Sequence, residues 1–188
     1  MPAHNSCTVP DRETCIRLMD TYAMRPNIRQ HSFAVCAVAG GLAQALNAAG
    51  AALNIAEIEA AALLHDITKT RSLTTGENHS QTGAALLAQL GYPELARIVE
   101  QHVYPDSGGS ALTSAELVSY ADKRVLHARI VSLQARFDDL MHRYGRDDTA
   151  RARIRAAHGR AREIERNILT ALNTDTLNLA HITSAPAQ

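Results

Sequence analysis

At 188 residues and 20.3 kDa the chain supplies material for one domain, able to bury roughly 70% of the surface its unfolded form exposes. Nineteen Lys and Arg balance nineteen Asp and Glu at a pI near 7.1, which excludes the global basic field of a non-specific nucleic-acid or membrane-surface binder. Aromatics at 4%, no Trp and abundant Ala and Leu favour helix over strand, so the expected fold class is all-α, a single bundle of about seven helices with a long C-terminal helical extension.

In chain order, a first helix is expected from about Asp11 to Met24, stopped near Pro26, and a second from about Asn27 to Ala49, with Gly50 as a left-handed cap. The most apolar run, Phe33 to Ala43, has 11 residues where a membrane span needs about 20. Asn54 followed by Glu57 resembles a capping box and opens a third helix through Leu64. Ser80–Leu90 and Pro93–His102 predict two short helices, with Gly91 ending the first and Pro93 tolerated in the first turn of the second. Thr113 and Glu116 repeat the capping device ahead of SYADKRVLHARIV. Longer helices are expected over Ala121–Tyr144 and Asp147–Leu172, parted at Gly145, with a polar tail from about Thr174. Ile67–His79 and Val103–Leu112 read as irregular segments, the first a Thr-rich lid or a plain linker to His79. The implied organisation is an N-terminal helix (1–26) packing on the domain, the main domain with its site (27–145), an Arg-rich C-terminal helix (146–173) and a tail (174–188).

Three cysteines, Cys7, Cys15 and Cys36, make an odd number without a CxxC pair, so neither a disulfide framework nor a thiolate zinc site is indicated. The N-terminus has no basic-then-apolar signal pattern, and a cytoplasmic location is expected. Charge is unevenly spread: residues 1–122 carry 7 basic and 12 acidic side chains, residues 123–188 the reverse. The basic excess sits in RARIRAAHGRAREIER (151–166), which reads first as a solvated outer face; approach to a polyanion, or packing on a second copy in a homodimer, are the other readings.

The informative residues are ionisable groups placed where helical period demands apolar ones. Ile28, Val35, Val38 and Leu42 define an inward stripe whose remaining position is His31. Ile55, Ile58 and Ala62 lead to His65 with Asp66 beside it; Leu95, Ile98 and Val99 lead to His102; Ala115, Val118 and Val125 flank Asp122. One such His is ordinarily a hydrogen-bonded core residue. Several imidazoles and two carboxylates delivered inward by four helices, with no matching set of inward Lys or Arg, would each cost several kcal/mol, and a divalent cation resolves the cost. Nitrogen and oxygen ligands without thiolate suit Fe, Mn, Co, Ni or Zn better than Mg or Ca.

The ordered set His31, His65-Asp66, His79, His102 and Asp122 resembles the HD-domain superfamily of metal-dependent phosphohydrolases. The motifs are RQHS (29–32), LLHDITK (63–69), ENHSQTGA (77–84), EQHV (100–103) and SYADKR (119–124), and the resemblance covers roughly residues 20–145. His79 and His102 are similar to the extra pair of the dimetal subgroup, and within it to bacterial HD-type diadenosine tetraphosphate hydrolases and HD proteins associated with molybdenum-cofactor nucleotidyltransferases. The resemblance implies that His31, His65, Asp66 and Asp122 hold one divalent ion and His79 and His102 a second, with Asp66 bridging. It further implies Fe or Mn, a metal-activated hydroxide that attacks phosphorus, and a small phosphorylated substrate, a nucleotide above all.

Asp66 and Lys69 are the expected catalytic residues. Lys69, four positions after His65, resembles the lysine of HDxxK and would neutralise a phosphate oxygen, while a solvated loop lysine is its plain reading. Arg71, Lys123 and Arg124 are the nearest other cations for substrate phosphates. After His102 the chain reads VYPDSGGS where the diadenosine tetraphosphate enzymes tend to have a His-Thr-x-Gly-like element; only Ser107-Gly108 could stand in for it. Gly91-Tyr92-Pro93 resembles the GYP motif of cyclic-dinucleotide phosphodiesterases but precedes His102 and simply separates two helices. Two other functions fit the same residues: an HD-type di-iron oxygenase, and a metal-binding regulatory module without turnover.

Overall fold

The computed structural model describes residues 9–106, 109 and 111–184; Cys7, Ser107-Gly108 and the last four residues of the tail lie outside them. Ten helices and one two-stranded hairpin are found among the described residues, more helices than the seven expected, and the fold is all-α.

Helix α1 (Arg12–Thr21) begins at Asp11, whose carboxylate accepts from the Thr14 amide. It stops short of Met24 because Ala23 takes a left-handed conformation (φ 50°) and the residue before Pro26 is extended. Helix α2 (Pro26–Ala48) is the central rod and buries Ile28, Val35, Val38, Leu42 and Leu46. Against it lies α3 (Ile55–Leu64), capped by Asn54 accepting from the Glu57 amide. Its run Ala60–Ile67 is buried throughout, so α3 is a core helix rather than an amphipathic one.

The segment Ile67–His79, expected to be irregular, contains α4 (Lys69–Thr75). Its Thr-rich sequence carries no apolar stripe and buries no residue, which is why periodicity missed it. Gly76 ends the helix in the left-handed region (φ 74°) that a side chain would resist, and turns the chain toward His79. Helices α5 (His79–Gln89) and α6 (Pro93–Gln101) form an antiparallel hairpin so close that a Cβ on Gly83 would lie 3.3 Å from Val99. Helix α7 (Ser114–Lys123) opens with the complete Thr113–Glu116 capping box and crosses α2, α3 and α6.

A continuous helix over Ala121–Tyr144 does not form. After Lys123 the chain makes a short antiparallel hairpin, β1 (Val125–Leu126) and β2 (Arg129–Ile130), turning at His127 with φ 57°. The β-branched residues of VLHARIV favour strand, and Ser132 starts a new helix by accepting from the Ala135 amide. That helix, α8 (Leu133–Tyr144), pairs with α9 (Asp148–Ala171), which Asp147 caps and which buries Ala161, Ile164 and Ile168 against the domain. The basic run is not wholly a solvated face: Arg160 turns inward to Glu116 on α7 at 2.5 Å and to the carbonyl of Asp106 at 2.8 Å. Within the tail, α10 (Leu179–Ser184) packs on α2. No helix among the described residues is long and apolar enough to cross a membrane.

Candidate metal centre

Two core helices end on histidine. His65 and His102 directly follow α3 and α6, and each turns its Nδ1–H back to the carbonyl three residues earlier, His65 to Ala62 at 2.7 Å and His102 to Val99 at 2.6 Å. His31, in the second turn of α2, donates Nδ1–H to the carbonyl of His127 at 2.9 Å, so the unexpected hairpin serves to orient it. A carbonyl only accepts, so each of these Nδ1 atoms carries a hydrogen, and Nε2 is the atom each ring presents to the centre.

Those Nε2 atoms converge on Asp66 and Asp122. His31 Nε2 is 2.9 Å from Asp122 Oδ1; His65 Nε2 is 3.6 Å from Asp66 Oδ2 and 3.9 Å from Asp122 Oδ1. His79, the first residue of α5, places Nε2 3.2 Å from Asp66 Oδ1, and His102 Nε2 is 3.9 Å from the same oxygen. Two compact ligand triads result, His31–His65–Asp122 and His65–Asp66–His102, with His79 adjoining the second. His65 is common to both. Its Nε2 is buried without a hydrogen-bond partner, a lone pair whose desolvation costs about 1–3 kcal/mol unless something fills the space.

The electrostatics suit a cation. Burial pushes His65 and His102 below the ordinary imidazole range, and His79 down to about 4, which favours neutral rings. His31 goes the other way: burial opposes its charge, but the hydrogen bond and negative charge of Asp122 outweigh that and raise its pKa. Both of its ring nitrogens face acceptors, and a metal at Nε2 would displace a proton from there. Burial alone would raise Asp66 and Asp122; His65 and Lys69 acting on Asp66, and Lys123 and His31 on Asp122, hold both well below the usual carboxylate range. The donor set of imidazole nitrogens and carboxylates fits a divalent transition metal.

The expected lack of inward Lys and Arg is not found. Inward cations do exist: Lys123 is buried, with Nζ 2.8 Å from Asp122 Oδ2 and 3.1 Å from the His102 carbonyl, and Lys69 Nζ is 3.5 Å from Asp66 Oδ1 and 3.1 Å from His79 Nε2. Arg136, which no motif singled out, reaches within 4.0 Å of Asp122 from α8. The carboxylates are therefore partly balanced by the protein, and it is the converging Nε2 atoms that suit a metal.

A cavity of about 660 Å³ opens above the cluster, lined at its floor by His31, Asp66, Lys69, His79, His102 and Asp122. Lys123 and Arg136 also line it. Arg71 does not; it pairs with Glu77 at 2.9 Å on the surface. Arg124 is directed away, to Glu165 at 3.0 Å and the Val131 carbonyl at 2.8 Å, and lines a separate depression between α7, α8 and α9.

The HD domain family model matches residues 28–157, more than half of the chain. An uncharacterized protein of Methanocaldococcus jannaschii is 34% identical over 93 residues, which are 49% of this chain and 51% of that protein. The chain thus spans about half the length of this curated relative. No solved structure matches it.

Proposed function

Since the chain belongs to the HD domain family, whose members are mostly metal-dependent hydrolases, we propose that it is a phosphohydrolase cleaving a phosphoester or phosphoanhydride of a nucleotide or related small molecule. The carrying observation is the convergence of imidazole Nε2 atoms, three fixed by backbone carbonyls, on two ionised carboxylates at the floor of a cavity with cations beside them.

His31, His65, Asp66 and Asp122 are the residues that would hold one divalent ion, and His79 and His102 those that would hold a second. Such ions, Fe or Mn by family likeness, acidify water to near neutral pH and withdraw charge from a phosphoryl group. The chain's own part is to orient and neutralise. Main-chain carbonyls of Ala62, Val99 and His127 keep the rings in the ligating tautomer. Lys69, about a third exposed, has the reach to leave His79 and meet a non-bridging phosphate oxygen. Lys123 is committed to Asp122 and the His102 carbonyl and acts by fixing both.

Elemental analysis of protein purified without chelator, followed by phosphate release from dinucleoside polyphosphates, mononucleotides and p-nitrophenyl phosphate under anaerobic conditions, tests this reading. Anaerobic phosphate release that Asp66→Ala abolishes is expected. Oxygen-dependent product without phosphate would make it an oxygenase, and metal without turnover a regulatory module.

A further inference from the structure

The cavity above the imidazoles has an apolar wall that the chemistry described so far leaves unused. Phe137, Leu140 and Tyr144 of α8, Ile154 of α9, Leu73 of α4 and Tyr104 after α6 contribute to it. Leu73, Tyr104 and Tyr144 are 60%, 58% and 51% exposed, the three most exposed large hydrophobic side chains among the described residues. One such residue is ordinary; three from separate segments around a single mouth form a surface that a bound molecule would cover.

The wall is also selective in what it lacks. Beyond the residues of the floor, the neutral polar groups lining the cavity among the described residues are few: the Asn27 amide, the His127 imidazole and the hydroxyls of Tyr104 and Tyr144. Sugar hydroxyls and base amines are recognised by such groups, and a wall made mostly of aliphatic and aromatic carbon favours an apolar body over a polar one. Cations, by contrast, are at hand. Arg136 stands between floor and wall with its Nε buried and without a hydrogen-bond partner, its side chain 14% exposed.

We propose that this wall receives the organic body of the substrate, and that the substrate is a phosphate monoester of an apolar aryl or alkyl alcohol whose phosphate meets Arg136. The inference rests on the phosphohydrolase reading of the floor and, within it, takes a small phosphate monoester in place of a nucleotide. In the reaction, the oxygen of water bonds to phosphorus and the bond from phosphorus to the ester oxygen breaks. The leaving oxygen takes up a proton, giving the free alcohol or phenol and inorganic phosphate.

Binding can be measured apart from turnover, by calorimetry of the Mn²⁺-loaded full chain with two non-hydrolysable probes, 1-naphthylmethylphosphonate and 2-hydroxyethylphosphonate. The naphthyl probe should bind at least tenfold more tightly. The double variant Leu73→Asn/Tyr144→Asn, at exposed positions where folding is readily confirmed by circular dichroism, should shrink that ratio below threefold. Arg136→Met should weaken both probes about tenfold. Equal affinities, preference for the hydroxyethyl probe, or a ratio unchanged in the double variant would overturn the proposal. Release of phosphate from 1-naphthyl phosphate separates the two levels: naphthyl preference without release leaves the wall as a binding site and removes the hydrolase reading, while release without the preference does the reverse.

Discussion

Replacing Arg160 with Ala tests whether α9 is clamped to the site-bearing domain by a buried charge pair. The Glu116 side chain is 2% exposed and that of Arg160 16%. Glu116 Oε2 accepts from the Thr113 amide and hydroxyl at 2.8 and 3.0 Å, and Oε1 from Arg160. Removing one partner of a buried pair costs about 3–5 kcal/mol, because the other charge is left in low dielectric. The two Thr113 donors remain, which places the expected loss near the lower bound, about 3 kcal/mol. For a chain of this size each kcal/mol moves the melting temperature by about 2–4 °C, so Arg160→Ala should melt roughly 6–12 °C lower by circular dichroism. Glu116→Gln in the same background should cost less than it does alone, since the charge it removes is already unpaired. A shift below about 2 °C, or strict additivity of the two changes, would refute the clamp.

Further outcomes follow from the centre and its supports. His65, His79 and His102 have lowered pKa values, so they resist protonation in the folded chain and take up protons on unfolding. Their contribution is fully present above about 6.5, falls as the pH drops through that value and, for His79, is gone below about 4. Metal-free protein should therefore melt lower at pH 5.0 than at pH 7.5, with His31, whose pKa is raised, opposing part of the loss; a flat profile over that range contradicts the assignment. His79→Ala/His102→Ala should lower metal stoichiometry from two toward one by elemental analysis and reduce turnover more than tenfold. Tyr120→Phe removes a buried hydroxyl bonded to Glu165 at 2.7 Å, and should cost about 1 kcal/mol in urea denaturation while metal content stays unchanged.

Most of the helical frame was legible in the sequence because its signals are local. Asp11, Asn54, Thr113 and Asp147 all cap helices, and Gly91 and Pro93 divide α5 from α6. The inward turn of His31, His65, His102 and Asp122 followed from helical period, since each continues an apolar stripe that the core must bury. What stayed hidden depends on contacts distant in sequence. Arg136 is one Arg among many until α8 folds back over Asp122, and Lys123, beside an acid at a helix end, shows its burial only once α7 is enclosed. Helix α4 lacks an apolar face, and the β1–β2 hairpin is too short for its alternation to be seen.

Because the rings of His31, His65 and His102 take their bearing from peptide carbonyls, no single side-chain replacement can delete the groups that aim them. The anchoring survives drift in the surrounding residues, whereas the overlying helices α8 and α9 are held by side chains, Arg160 on Glu116 among them. Side-chain changes in α8 would therefore reshape the cavity wall while leaving those carbonyls in place. Chimeras that exchange this helix between related chains should trade preference without losing their metal.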